Sequence, residues 1–276
     1  MDSSELEKKY VETDAGKVFY FTDHAFPNRP WIILLHGLSS NHTTWCLVVV
    51  SLRAKHYNTL LVDLRGHGYS DKTRRRHLYS FSRFSEDLNQ VVQVESVDNF
   101  ILVGYSFGGF VALDYALRYP KSVRGLLLIS TSYVNPFVAR GLTLFSYVVS
   151  FFLNGIAYLL LWQRRRQYHY YVYEKTNQNG YWFSVYEGLK TMPVAVNLWL
   201  VALMGTANFS KALRKMQVPT MVVRAKHDPF FTEHEAKEMA EALDAELVTV
   251  DHQTHFLATH AQEAVTEIIL EFIAKL

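Results

Sequence analysis

Short, mainly apolar runs alternate with segments of helical spacing along most of the chain. Runs of this kind, closed by glycine or polar residues, are typical of strands buried on both faces of a parallel sheet. The runs lie at 31–35, 58–62, 101–103, 123–129, 219–224 and 246–250. Helical spacing is found at 43–54, 85–96, 111–117, 232–243 and 261–276. A hairpin is predicted over residues 11–21. The alternation predicts a right-handed, mainly parallel α/β sheet with helices on both faces.

The alternation breaks after residue 132 and resumes near residue 210. Between these points the chain is rich in aromatic residues, has helical periodicity and contains no run that predicts a buried strand. This pattern predicts an inserted helical cap. We therefore assign residues 1–133 and 210–276 to an α/β core and residues 134–209 to the cap.

A Gly-x-Ser-x-Gly sequence, formed by Gly104, Ser106 and Gly108, lies between a predicted strand and a predicted helix. A sharp strand-to-helix turn at this point forces the serine into a strained, exposed position. The glycines allow two backbones to pass where a Cβ atom would clash. The flanking strand and helix are the context that this motif requires, and they favour Ser106 as a nucleophile.

A serine nucleophile needs a base, and the base needs a group that orients it. Because site residues of α/β sheets follow the carboxyl ends of strands, the last two predicted strands are the places to search. Asp228 follows the first of them and His255 follows the second, so the order is Ser, Asp, His. The last loop also offers alternatives: Asp251, His252 and His260.

Together these motifs resemble the α/β-hydrolase superfamily, in its cap-bearing esterase, lipase and C–C hydrolase branch. The resemblance covers essentially the whole chain, although weakly across the cap. It rests on four features: His36-Gly37 after a buried strand, the segment 63–70, the segment 104–109, and the late aspartate and histidine. It implies an eight-stranded sheet.

The resemblance also implies roles for individual residues. Ser106 is then the nucleophile, His255 the general base and acid, and Asp228 the carboxylate that fixes the histidine tautomer. The backbone N–H groups of Leu38 and Phe107 form the oxyanion hole. Four supporting residues shape this site: His36, Gly37, Gly104 and Gly108.

Two positions depart from the family pattern, because Ala225 and Thr254 stand where family members usually have glycine. These departures leave the choice of histidine and of acid open to the alternatives above. No spacing of His, Cys, Asp or Glu requires a metal, and we expect neither a metal nor a cofactor.

The same resemblance implies a serine hydrolase that cleaves carboxylic esters through an acyl-enzyme. A serine at position 106 excludes the carboxylate-nucleophile epoxide hydrolases and haloalkane dehalogenases. A C–C bond hydrolase of diketone-like substrates, a lactonase or thioesterase, and a catalytically silent binding protein remain as alternatives.

The aromatic residues of the cap predict an apolar pocket, and hence a small apolar substrate with a hydrophobic acyl chain or an aromatic ester, although most of these rings could instead hold the cap on the core. They are Phe145, Tyr147, Phe151, Phe152, Tyr158, Trp162, Trp182, Phe183, Tyr186 and Trp199.

Charge and cysteine content limit the possible partners and the cellular compartment of the protein. The chain of 276 residues has a net charge near +2, with 28 basic and 26 acidic residues, so no nucleic-acid partner is expected. Cys46 is the sole cysteine, which excludes an internal disulfide and suits a reducing compartment. The polar first ten residues show no secretory signal. These features predict a cytoplasmic protein.

The segment 141–163 carries no charged residue and is flanked by Arg140 and by the run 164–166 of arginines. It is long enough for a membrane span, but Asn154-Gly155 divides it. We predict a pair of buried or pocket-lining helices here, with peripheral membrane or lipid contact and a true span as alternatives. A second arginine run, 74–76, predicts a solvated loop, with contact to an anionic surface as its alternative.

Overall fold

The computed structural model describes residues 6–135, 142–161, 168, 170, 172, 186–188 and 190–276. A single eight-stranded sheet forms its centre, with the strands in the order β1-β2-β4-β3-β5-β6-β7-β8. The strands are β1 (Glu7–Thr13), β2 (Gly16–Asp23), β3 (Trp31–Leu35), β4 (Asn58–Val62), β5 (Phe100–Tyr105), β6 (Val123–Ile129), β7 (Thr220–Ala225) and β8 (Glu246–Val250). The strands from β3 to β8 are parallel, and the antiparallel hairpin β1–β2 joins the sheet through β4. The predicted mainly parallel, eight-stranded α/β sheet is confirmed.

The helices cover both faces of the sheet. They are α1 (Cys46–Ala54), α2 (Phe81–Val94), α3 (Phe107–Arg118), α4 (Thr143–Leu160), α5 (Val194–Gly205), α6 (Ser210–Leu213), α7 (Glu233–Leu243), α8 (Leu257–His260) and α9 (Gln262–Lys275). One core packs α2, α3 and α7 against one face, and a second packs α1 and α9 against the other. The strands β3 to β6 are completely or almost completely buried, because they contact helices on both sides.

Helix α2 begins four residues before the predicted start at residue 85. The Ser80 side chain accepts a hydrogen bond from the N–H of Arg83 and so caps the helix at Phe81. Phe81 and Phe84 are buried on its inner face, and this burial extends the helix toward its amino terminus.

The prediction that Asn154-Gly155 divides the apolar segment is wrong, because α4 runs without interruption from Thr143 to Leu160. The Asn154 amide donates to the Ser150 carbonyl one turn earlier at 2.7 Å, so it hydrogen-bonds within the helix instead of ending it. Gly155 faces open space. A single glycine costs a helix only about 1 kcal/mol, which the other residues of α4 offset. No helix within the described residues is long and apolar enough to cross a membrane.

The two ends of the segment 134–209 pair with each other beside the core. Val134 and Asn208 form an isolated antiparallel bridge, and the N–H of Phe209 donates to the Tyr133 carbonyl at 2.8 Å. Helices α4 and α5 lie between these points in the chain. The division into a core and a cap stays a prediction.

Candidate active site

Ser106 lies at the turn between β5 and α3, in a backbone conformation that L-residues rarely adopt, with φ +52° and ψ −115°. Hydrogen bonds from both sides fix this turn. The N–H of Ser106 donates to the Ile129 carbonyl at 3.0 Å, and the Thr131 hydroxyl donates to the Ser106 carbonyl at 2.7 Å. The turn therefore holds the serine side chain clear of the sheet.

Gly104 and Gly108 are required because the helix crosses the strand ends closely. A Cβ atom on Gly104 would lie 2.7 Å from the Cβ of Ala112 and from the Gly108 carbonyl oxygen. A Cβ atom on Gly108 would lie 2.6 Å from the His36 carbonyl oxygen. The close contact with His36 places the amino terminus of α3 directly against the loop that follows β3.

The loops after β5, β7 and β8 bring three predicted side chains into one hydrogen-bonded row. Nε2 of His255 lies 2.9 Å from Oγ of Ser106, and Nδ1 lies 2.8 Å from Oδ2 of Asp228. The other carboxylate oxygen of Asp228 accepts the N–H groups of Phe230 at 2.9 Å and Phe231 at 3.0 Å. Burial alone would raise the pKa of Asp228, but these hydrogen bonds and the His255 contact hold that pKa below its usual value.

The alternative residues of the last loop lie elsewhere. Asp251 is largely exposed and pairs with Lys226 at 3.4 Å. Nδ1 of His252 accepts a hydrogen bond from the N–H of Thr254 at 3.3 Å, and the ring of His260 lies beside the ring of His252. The structure therefore brings His255 and Asp228, and not these residues, to Ser106.

The two departures from the family pattern do not disturb the row. Neither Ala225 nor Thr254 has a positive φ, so neither position needs a glycine for its backbone conformation. Ala225 is the last residue of β7 and is buried. The Thr254 hydroxyl accepts a hydrogen bond from the N–H of Phe256 at 3.3 Å, and this contact stabilises the loop that carries His255.

The loop after β3 passes directly beside the serine. A Cβ atom on Gly37 would lie 3.1 Å from the Tyr105 ring and 3.4 Å from Cβ of Ser106, so only a glycine fits without displacing its neighbours. His36 holds the start of this loop, because its Nε2 accepts the N–H of Leu64 at 3.1 Å while its Nδ1–H donates to the Gly37 carbonyl at 2.8 Å. Leu38 follows on the same sheet edge as Phe107, the first residue of α3.

Sequence reasoning missed a polar contact between α5 and this loop. The amide of Asn197 donates to Oγ of Ser39 at 2.5 Å, and the Thr191 hydroxyl donates to the Ser39 carbonyl at 3.1 Å. Ser39 has a positive φ of 57°. The available signal was a lone asparagine in the apolar helix α5, because a buried amide in such a helix needs a partner.

The aromatic residues predicted to line an apolar pocket are placed differently. Trp199 is buried and packs on Tyr79, with the ring centroids 5.9 Å apart. The ring of Tyr158 is half-exposed and packs edge-on against Trp199, with the centroids 5.8 Å apart. The other described residues of this set are exposed: Phe145, Tyr147, Phe151, Phe152 and Tyr186. Trp162, Trp182 and Phe183 lie outside the described residues. Within the described part of the chain, no group of three or more His, Cys, Asp or Glu side chains is arranged to hold a metal ion.

The neutral state of His36 is expected to make stability depend on pH. Burial lowers the pKa of His36 from 6.5 to about 4, and burial also lowers the pKa of the neighbouring His67 well below its usual value. The unfolded chain therefore binds more protons below pH 6.5, so stability is lost as the pH falls toward 4. His36 alone should contribute a loss of about 2 kcal/mol between about pH 7 and pH 5, measured by urea unfolding.

A His36→Gln variant should show a smaller loss over the same pH range, whatever its stability at neutral pH. His77 is exposed, so His77→Gln should lose as much stability as the unmodified chain. An equal loss in His36→Gln would show that another group causes the acid sensitivity.

The comparisons agree with this architecture. The sequence model of the family described as "alpha/beta hydrolase fold" matches residues 30–258. An uncharacterised protein of Mycobacterium tuberculosis is 37% identical over 101 residues, which are 37% of this chain and 29% of that protein. A bifunctional esterase/perhydrolase of Acinetobacter calcoaceticus is 24% identical over 282 residues, covering 96% of this chain and 99% of that protein. The enol-lactonase from Burkholderia xenovorans shares the fold, with a TM-score of 0.74 at 19% identity over 96% of this chain and 100% of that chain.

Proposed function

The chain belongs to the α/β-hydrolase fold family, and on that basis we propose that it is a serine hydrolase that cleaves carboxylic esters. The observation that carries the proposal is the row of two hydrogen bonds from Ser106 through His255 to Asp228. A serine, and not an aspartate, at this turn favours acyl transfer over epoxide opening. The full-length similarity to an esterase/perhydrolase adds support.

In the first half of the proposed reaction, Ser106 attacks the ester carbonyl while Nε2 of His255 takes its proton. The hydrogen bond to Asp228 keeps the proton of the neutral ring on Nδ1, so Nε2 is free to act as the base. Buried Asp228 stays ionised and stabilises the imidazolium that forms. The imidazolium then protonates the leaving alcohol, and an acyl-enzyme remains on Oγ of Ser106.

In the second half, His255 activates a water molecule that hydrolyses the acyl-enzyme. Both halves pass through a tetrahedral oxyanion, and we assign its stabilisation to the backbone N–H groups of Leu38 and Phe107. The contact of the loop after β3 with the amino terminus of α3 supports this assignment, because it brings the loop that carries Leu38 against the turn that carries Phe107. The positive end of α3 adds to the stabilisation of negative charge there.

The surroundings of the row support an apolar acyl or aromatic ester as substrate. The ring of Phe230 lies against the ring of His255, with the centroids 5.3 Å apart. Met192 contacts Ser39 on the loop after β3, with its sulfur 3.6 Å from the serine hydroxyl. An apolar substituent would bury surface against these side chains, whereas a charged one would lose its hydration there.

A fluorophosphonate probe and a series of p-nitrophenyl esters test the proposal together. We expect stoichiometric labelling at Ser106 and activity that persists from short to medium acyl chains. Lactones and diketone-like substrates run in parallel separate ester cleavage from the two related reactions. Folded protein that the probe does not label would contradict the proposal and would favour a catalytically silent binding protein.

Asn197→Ala is expected to lower kcat about tenfold with little change in KM. The reason is that Asn197 holds Ser39 and so positions the neighbouring Leu38 N–H, which matters most when the oxyanion forms. Rates should be normalised to the concentration of active sites that the fluorophosphonate probe titrates. A loss of folded protein then does not lower the apparent kcat. Asn154→Ala is the control, because Asn154 lies on α4 and its side chain bonds Ser150 and Arg76 instead of the loop after β3. An unchanged kcat in Asn197→Ala would remove the positioning role.

A further inference from the structure

Helix α4 has the reverse of the polarity expected for a helix on the surface of a water-soluble domain. Its small side chains Ser146, Ser150 and Ala157 are buried. Ser146 hydrogen-bonds the amide of Asn135 and the carbonyl of Gly205, so this inner side packs closely on α5. Helices on such surfaces usually bury their large apolar side chains and expose small or polar ones.

The large apolar side chains of α4 instead face outward along one continuous side. This outer face is formed by Leu144, Val148, Phe151, Phe152 and Leu159. Leu144 and Leu159 are 78% exposed and Phe151 is 75% exposed, so the face spans nearly the whole helix. Monomeric soluble proteins rarely expose an apolar surface of this extent, and such surfaces usually bind a protein, a ligand or a membrane.

Arginines lie beside this helix. Nη1 of Arg74 donates to the Leu161 carbonyl at 2.9 Å, and Nε of Arg76 donates to Oδ1 of Asn154 at 2.9 Å. Arg75 between them is exposed. The run 74–76, predicted from the sequence as a solvated loop, is therefore packed along α4. In the sequence, further arginines stand at position 140 and at 164–166, on either side of the uncharged segment.

We propose that the outer face of α4 lies on the surface of an anionic lipid bilayer. Large apolar and aromatic side chains would enter the headgroup boundary, and the exposed Arg75 beside them would contact lipid phosphates. A lipid surface is favoured over a protein partner because arginines border the apolar face, and anionic membranes bind this combination of apolar and cationic side chains. Its inner side packs on α5, so the helix lies on the bilayer and does not enter it as a span.

Flotation of the full chain with lipid vesicles tests this surface. Vesicles of phosphatidylcholine alone are compared with vesicles of phosphatidylcholine mixed with phosphatidylglycerol, and we expect stronger partition into the mixed vesicles. The double variant Phe151→Glu/Phe152→Glu should lower partition by more than about tenfold on both vesicle types. Arg75→Gln should lower it about fivefold on the mixed vesicles only.

Two controls make the same kinds of substitution elsewhere, one residue at a time. Val94→Glu places the charge on an apolar residue of α2 that is 63% exposed, and Arg214→Gln removes an exposed arginine after α6. Neither should change partition. Because all of these positions are exposed, the far-ultraviolet circular dichroism spectrum should stay unchanged.

The inference is wrong if the chain does not float with either vesicle type, or if Val94→Glu lowers partition as much as the double variant. It is also wrong if the double variant changes only the sedimentation coefficient of the protein, since the outer face would then join two copies of this chain. The inference does not rest on the proposed function. Labelling of Ser106 can therefore succeed while flotation fails, and the reverse.

Discussion

Replacing Ser106 with alanine is expected to lower kcat/KM for ester hydrolysis by about 10⁵–10⁶-fold. The variant keeps the Cβ atom and the backbone of the turn, so it removes only the oxygen that would attack the ester. His255 and the two proposed backbone donors remain, and they would support only the slow attack of water. The measurement is kcat/KM on the best ester of the series, together with the loss of fluorophosphonate labelling.

Ser130→Ala is the matched control for this variant. Ser130 also follows a parallel strand, β6, with a positive φ of 45°, and it is buried. Its Oγ has no hydrogen-bond partner among the described residues. The control should keep wild-type activity. Residual activity in Ser106→Ala within about tenfold of the wild type would mean that another group is the nucleophile.

Asp228→Asn is expected to lower kcat by about 10⁴-fold on the same ester, because the histidine would lose its required tautomer.

The second large effect concerns stability, because Arg65 and Asp87 form a buried ion pair between the loop after β4 and helix α2. Nε and Nη2 of Arg65 each donate to one carboxylate oxygen of Asp87 at 2.6 Å. Nη1 donates to the Leu78 carbonyl at 2.6 Å, and the Arg65 side chain is 1% exposed. Asp87→Ala is expected to lower the free energy of unfolding by about 3–5 kcal/mol, because it leaves a buried guanidinium without its main partner.

Urea unfolding at neutral pH measures this loss, and the adjacent residue supplies the control. Glu86 pairs with Arg83 at 3.0 Å, but both side chains are more than 40% exposed. Solvent screening makes such a pair weak, so Glu86→Gln should change stability by less than about 1 kcal/mol. The double variant Arg65→Met/Asp87→Leu should recover much of the loss, since no charge stays buried. Equal losses in Asp87→Ala and Glu86→Gln would contradict a buried, desolvated pair.

The strands could be predicted from the sequence because each is encoded by its own residues. The run 31–35 is apolar throughout, and burial on both faces of a sheet explains such a run. The turn at Ser106 was predictable for a similar reason, since its two glycines lie within the motif that they permit. The ends of helices were less well predicted. The cap of α2 by Ser80 adds four residues that periodicity alone does not show.

The partners of Ser106 were only partly determined by the sequence. Strand order limited them to two loops, but the last loop contains three histidines within nine positions. Sequence spacing does not distinguish among these residues, because the direction of a side chain depends on how the loop packs. The same holds for Asn197, which reaches Ser39 from 158 positions away along the chain.

Helix α4 shows most clearly what the sequence determined and what it left open. Its composition predicted an apolar helical segment without charge between arginines, and α4 lies within that segment. The continuity of the helix through Asn154-Gly155, the outward direction of its large side chains and its contact with the arginine run 74–76 were decided by tertiary packing. The local sequence determines which backbone conformations have a low free energy. The packing of small residues on α5 decides which side of the helix is buried.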